Sequence, residues 1–245
     1  MFYINHDSDN FTIIDCCLDE NTEEPILAQI SALSKNKGIT RFISTHPDED
    51  HLQGLIALNE KIGIANFYCV KNAATKPDES EDFVKYRAFR DADNAFYIYE
   101  GCNRKWMNQS DEVRKASGIQ ILWPKTENAH FKEALQAAAE GGSPNNISAI
   151  IKYSLEGGAT FLWMGDLETA FMESIEADIT LPKVDILFAP HHGRESGRIP
   201  DSMLKKMSPK IIVVGEAPSE HLHYYPERED ITNHRHLAGA ARAEV

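Results

Sequence analysis

The sequence predicts an α/β fold, on three observations. Short runs rich in β-branched and aromatic residues alternate with segments whose apolar residues recur at helical spacing. Glycines and polar turns punctuate them. Acidic and imidazole side chains gather directly after apolar runs, where an α/β sheet presents its functional groups. In order, FYINH and FTIIDCC read as strands, followed by an amphipathic helix from about Glu23 to Ser34. That helix carries Ile26, Leu27, Ile30 and Leu33 on one face, and Gly38 closes it. RFIST is a buried strand that runs straight into His46. A helix over roughly Leu52 to Lys61 ends at Gly63, before the short strand NFYCV.

From Lys71 to about Gly118 the pattern weakens: KPDES is a loop, a charged helix follows, and FYIYEGCNRKWMNQS has no clean period. We read 71–118 as an insertion within a single domain spanning 1–245. Regular structure returns with the strand IQILWP, a helix across HFKEALQAAAE, and strand, turn and strand in SAIIKYSLEGGATFLWMGD, turning at Glu156-Gly157-Gly158. VDILFAP, a helix near Ser202 to Met207, and KIIVVGE complete the alternation.

The chain has 245 residues, 42% of them hydrophobic, enough to bury a substantial core without disulfide or metal staples. This composition excludes disorder, collagen and coiled coil. No stretch approaches the roughly 18 uncharged apolar residues of a membrane span, and MFYINHDSDNF lacks the features of a signal peptide. The expectation is a soluble cytoplasmic protein with no membrane partner. Cys16, Cys17, Cys69 and Cys102 lack C-x-x-C spacing and read as free buried thiols. The net charge of -13 works against non-specific duplex binding, which depends on Lys and Arg neutralising phosphates. A local basic groove remains open to Lys85, Arg87 and Arg90, or to Arg104 and Lys105 beside Trp106, as substrate-binding residues. The alternative for each is a solvated helix face.

The sharpest chemical signal is Thr45-His46-Pro47-Asp48-Glu49-Asp50-His51, with four potential metal ligands between a strand and a helix. Gly165-Asp166 delivers a carboxylate at the end of FLWM, although Asp166-Leu167-Glu168 also fits a helix N-cap. Ala189-Pro190-His191-His192-Gly193 places a histidine pair at the end of VDILF, and packing does not explain two adjacent imidazoles.

Together these motifs resemble the metallo-β-lactamase fold superfamily of two-metal hydrolases. Its H-x-H-x-D-H loop appears as His46 to His51, with Asp48 in place of the second histidine. Its later carboxylate matches Asp166, its last metal histidine His191, and its early strand-end aspartate Asp15. Asn145-Asn146-Ile147-Ser148, with the HHG run, looks most like the nuclease-like domain of the DNA-uptake competence protein and its soluble relatives. Arg194 departs from that branch's serine, and Tyr225-Pro226 stands where relatives show His-Pro; the nearby His221 and His223 either compensate or are surface residues. The resemblance implies a four-layer αββα sandwich and two divalent ions. One would take His46, Asp48 and Asn145 (or Asn146, as ligand or substrate contact), the other Asp50, His51 and His191, with Asp166 bridging. Asp50 and His192 would be catalytic, His192 as a general acid or phosphoryl contact, and Asp15 would orient a ligand. The oxygen-rich first site makes Mn²⁺ a competitor to Zn²⁺. The fold also needs one more short element after KIIVVGE, within PEREDITNHRHLAGAARAEV, and the end AGAARAEV reads as disordered.

The first functional expectation is a metal-dependent phosphodiesterase, a nuclease, using a metal-bridged hydroxide. The second is a hydrolase of a small ester, lactone, thioester or amide, with a pocket built from Tyr97, Tyr99, Trp106 and Trp123 unless these are core. The third is a metal-bearing subunit of a larger defence or DNA-processing complex, docking a protein partner through 71–118.

Overall fold

The computed structural model describes residues 1–109, 116–215, 219–223, 225 and 232–235. β1 (Phe2–Asn5) and β2 (Asn10–Ile14) pair antiparallel. α1 (Glu23–Ser34) crosses to β3 (Ile39–Ile43), parallel to β2; α2 (Leu55–Ile62) leads to β4 (Asn66–Cys69), and α3 (Glu81–Arg90) to β5 (Phe96–Tyr97). These strands form one mixed sheet in sequential order. The 71–118 region thus supplies α3 and the edge strand β5.

The second sheet is built from β6 (Ile119–Trp123), β7 (Ile150–Ser154), β8 (Thr160–Trp163), β9 (Ile186–Phe188), β10 (Ile211–Val214) and β11 (Thr232–Arg235), side by side in that order. Its first three strands are antiparallel and the rest parallel. α4 (Ala129–Ala139), α5 (Thr169–Ile175) and α6 (Asp201–Met207) lie between them in sequence. The architecture is therefore mixed α/β. Among the described residues, no helix is long and apolar enough to cross a membrane.

The two-residue period of the first sheet divides its side chains between two cores. Phe11, Ile13, Phe42 and Phe67 pack with Leu27, Ile30, Leu55, Leu58, Phe83 and Tyr86 of α1 to α3. Ile14, Ile43 and Tyr68 point the other way, into a core shared with Leu162, Leu187 and Ile212 of the second sheet and Phe131, Met172 and Met203 of its helices. Phe2 of β1 meets the Phe188 ring at 4.5 Å and the Trp163 ring at 5.7 Å. Each fully buried side chain of these cores, such as Phe11, Phe42 or Leu162, contributes about 1.5–3 kcal/mol.

The structure adjusts several expectations. The helix expected from Leu52 starts at Leu55, after a separate 3₁₀ turn over Glu49–His51. Gly54 separates them with φ 84°, and a Cβ there would meet Leu18 Cβ at 2.7 Å. Asp82 of α3 accepts Gly54 N–H and Ile56 N–H, so α3 caps the helix behind the His46 loop. All four cysteines are free, but Cys17 is exposed rather than buried. β11 runs parallel to β10 within the segment where one more element was expected; AGAARAEV lies outside the described residues.

Candidate metal centre

The chemistry-bearing loops leave the ends of four strands. Asp15 follows β2, His46 follows β3, Asp166 follows β8, and His191 and His192 follow β9. Backbone hydrogen bonds join the loops: Ala149 N–H donates to Thr45 O, His191 N–H to Gly165 O, and Cys16 N–H to His51 O, each at 3.0 Å. Gly165 is required where it stands. Its φ is 52°, and a Cβ would lie 2.5 Å from Ser148 Oγ, the atom that accepts Asp166 N–H at 2.9 Å.

Four side chains converge. Asp50, His51, Asp166 and His192 each offer one ligand atom, all within 4.8 Å of one another. His51 Nε2 lies 3.0 Å from Asp166 Oδ1 and 3.3 Å from His192 Nε2, and His192 Nε2 lies 3.0 Å from Asp50 Oδ2. The histidine pair thus differs from expectation, because His192 rather than His191 joins Asp50 and His51. Both residues have left-handed backbones, at φ 52° and 58°, which swing consecutive rings to different sides. His191 Nε2 instead faces Asp166 Oδ2 at 4.0 Å, with its Nδ1 3.0 Å from Ser196 Oγ.

Asp15 sets the orientation of two rings, His51 and His46. Its carboxylate accepts, so His51 Nδ1, at 2.9 Å from Oδ2, is an N–H donor and Nε2 is the atom that faces the cluster. Thr45 donates its hydroxyl proton to the same Oδ2 at 2.6 Å, leaving Thr45 Oγ1 to accept from His46 Nδ1–H at 3.1 Å. His46 Nε2 is then a bare lone pair. It is buried without a hydrogen-bond partner, 4.0 Å from Asp166 Oδ2. A buried imidazole nitrogen with a free lone pair is chemically suited to a cation beside the cluster.

The other expected ligands are held differently. Asp48 caps the 3₁₀ turn through Glu49 N–H at 2.8 Å and pairs with Lys76 Nζ at 2.7 Å. Asn146 is clamped on both sides by Glu168, donating to Oε2 at 3.0 Å and accepting Glu168 N–H at 3.1 Å. Asn145 donates to Glu168 Oε1 at 3.4 Å, and its buried Oδ1 has no partner.

Electrostatics favour a cation here. Burial opposes charge on His51, but Asp15 and Asp166 outweigh it and raise its pKa well above 6.5, so the ring takes a second proton when no other cation is present. Burial likewise opposes the charge on Asp50, yet the hydrogen bond from His192 and the nearby His51 hold it down to about 2. Asp166 is also held well below the usual carboxylate range, against burial, by His46, His51 and His192. His46 goes the opposite way: burial, then repulsion from His51, lowers it to about 4 and keeps it neutral. A divalent ion would replace the extra proton on His51 and find deprotonated ligands already in place.

The expected substrate-binding basic residues do not gather at this centre. Arg87 is paired with Glu79 and Arg90 with Asp91, while Arg104 lies over the Phe96 ring. Lys105 is exposed. Trp106 and Trp123 are core, Tyr97 hydroxyl donates to Arg90 O, and Tyr99 is exposed, so these aromatics line no common pocket. His223 pairs with Glu195 and His221 with Glu220. A cavity of about 290 Å³, lined by Arg194, Glu195, Ser196, Glu220 and His221, opens beside His191. Sequence reasoning passed over Thr45, Lys76, Ser148 and Glu168 as parts of the site. Thr45 and Ser148 do adjoin the quoted motifs, whereas Lys76 sits in a stretch without periodicity. Comparison with known proteins finds no matching family model and no matching curated protein.

Proposed function

We propose that this chain is a metal-dependent hydrolase of phosphodiesters, folded as a metallo-β-lactamase-like four-layer αββα sandwich. The observation that carries the reading is the meeting of Asp50, His51, Asp166 and His192 beside the unpartnered Nε2 of His46. Asp50, His51, Asp166 and His192 would hold a divalent cation, Zn²⁺ or Mn²⁺; the mixed nitrogen and carboxylate donors suit either. When bound, such an ion supplies Lewis acidity and lowers the pKa of coordinated water toward neutrality. The protein's part is arrangement. Asp15 fixes the ring tautomers of His51 and, through Thr45, of His46. Ser148 holds the Asp166 backbone, and Glu168 holds Asn145 and Asn146 at the rim. His192 acts as a ligand in this arrangement, and His191, partly exposed and hydrogen-bonded to Ser196, is the ring placed to meet substrate.

A second reading, hydrolysis of a small ester, lactone or thioester, draws on the open 290 Å³ depression beside His191 and on the pairing of Arg87 and Arg90 within the fold. Those pairings weaken the case for a nucleic-acid substrate relative to a small phosphodiester. Metal-stripped protein supplied with Mn²⁺ or Zn²⁺ tests both on bis-p-nitrophenyl phosphate and on labelled single-stranded and duplex DNA, with Asp166→Ala as control. Metal-dependent turnover absent from the variant is the expected result. Bound metal with no cleavage of any phosphodiester would overturn it in favour of the second reading.

A further inference from the structure

Resemblance makes Asp48 a metal ligand, but in the structure its carboxylate belongs to a lysine. Lys76 Nζ lies 2.7 Å from Asp48 Oδ1 and 3.8 Å from Glu49 Oε2. The lysine is not a loose surface charge: its side chain is 19% exposed, and its ammonium lies 5.4 Å from the Phe83 ring centroid. The same Asp48 oxygen also accepts Glu49 N–H, so its orientation is fixed from both sides. Meanwhile His46 Nε2 has no hydrogen-bond partner. Among the described residues, the one group whose ligand atoms all lie within 4.8 Å of one another contains none of His46, Asp48 and His191.

We propose that the Lys76 ammonium takes the place of a second metal ion at Asp48, so that the chain binds one divalent ion, in the group of Asp50, His51, Asp166 and His192. The inference rests on the metal-centre reading above and goes further, assigning the number of ions and the residue that sets it. A second dication at Asp48 would have to displace the ammonium or lie against it, and like charges at such range repel. Lys76 is a positioning residue here, acting through Asp48.

The test is titration of the metal-stripped full chain with Mn²⁺, followed by calorimetry and electron paramagnetic resonance. Wild type is expected to bind one equivalent with the spectrum of an isolated ion. Lys76→Met should admit a second equivalent, at least about tenfold tighter than any second binding to wild type, with the spectrum of an exchange-coupled pair; Lys76→Arg should return to one. Two tight equivalents in wild type, or a single equivalent in folded Lys76→Met, would overturn the proposal while leaving a metal-dependent hydrolase intact. Failure of wild type to bind Mn²⁺ at all would remove the metal reading itself. Should Lys76→Met not fold, Asp48→Asn decides: an asparagine keeps the cap, so retention of the one equivalent supports the proposal and its loss overturns it.

Discussion

The two oxygens of Asp166 look onto two differently built sides. Near Oδ1, His51 stands at 3.0 Å and is in turn 3.3 Å from His192, which touches Asp50. Near Oδ2, His192 Nε2 comes to 3.6 Å, whereas His46 and His191 each stop at 4.0 Å, and His46 Nε2 has no hydrogen-bond partner. The first side is rich in carboxylates and pulls a proton onto His51; the second holds His46 neutral. Charge compensation, more than the number of imidazoles, separates a side that demands a cation from one that merely accommodates lone pairs.

Removing what both sides share should have the largest effect. Asp166→Ala is expected to lower divalent-metal affinity by more than about 100-fold, beyond what loss of a supporting residue typically costs. Metal content by mass spectrometry after gel filtration reads it out. An Asp166→Ala protein that retains its metal would break the comparison at its root.

The next effect belongs to the neutral side alone. Burial lowers the His46 pKa from 6.5 to about 4, so below pH 6.5 the unfolded chain takes up a proton that the folded ring refuses. Stability contributed by the neutral ring is therefore complete above pH 6.5 and falls as pH drops toward about 4. Between pH 7 and pH 4.5 this amounts to about 2–3 kcal/mol. Urea unfolding of metal-stripped wild type and His46→Gln at both pH values measures it, since the glutamine does not titrate. Equal losses in the two proteins would show that His46 is not held neutral. His51 has the opposite sign: its raised pKa stabilises the metal-free fold at low pH and is lost as pH rises through the folded value.

Asp15 supports both sides through one carboxylate. Asp15→Asn keeps a residue tolerant of the observed φ of 53°, so the fold should survive. Yet an amide can offer His51 an N–H where the carboxylate offered a lone pair. That favours the wrong tautomer, with its proton on Nε2. Metal affinity should fall about 10- to 100-fold, and a variant with wild-type affinity would mean that the tautomer is set elsewhere.

Much of this was readable from the sequence, for identifiable reasons. α1 occupies the expected Glu23–Ser34 because Leu27 and Ile30 recur at helical spacing and Gly38 follows. The loops after β3, β8 and β9 stand out because imidazoles and carboxylates directly after apolar strands have little to do in packing. What stayed hidden is tertiary. Which of two consecutive histidines enters a cluster depends on left-handed backbones at both, and no residue pattern marks these in non-glycine positions. Lys76 meets Asp48 across 28 residues of sequence, from a region with no period to anchor it. Arg87 and Arg90 resembled a basic face because their partners, Glu79 and Asp91, flank the helix and look equally like solvated charge. α5 showed only as the helix N-cap reading of Asp166-Leu167-Glu168, because seven residues without a side-chain cap give too few turns for a periodic signal.

The smallest expected effect falls on the scaffold beneath the comparison. Ser148 Oγ accepts Asp166 N–H at 2.9 Å inside a fully buried pocket, so it fixes the backbone from which the shared carboxylate projects. Ser148→Ala removes that acceptor and leaves the Asp166 N–H buried and unsatisfied, at a cost of about 1–3 kcal/mol of stability. None of the ligand atoms is touched, so metal affinity should fall only a few-fold while the melting temperature drops by several degrees. If the two sides differ because of their charges, the Mn²⁺ stoichiometry of Ser148→Ala stays that of wild type. A change in stoichiometry would mean that the position of the Asp166 backbone, rather than charge compensation, decides which side holds the ion.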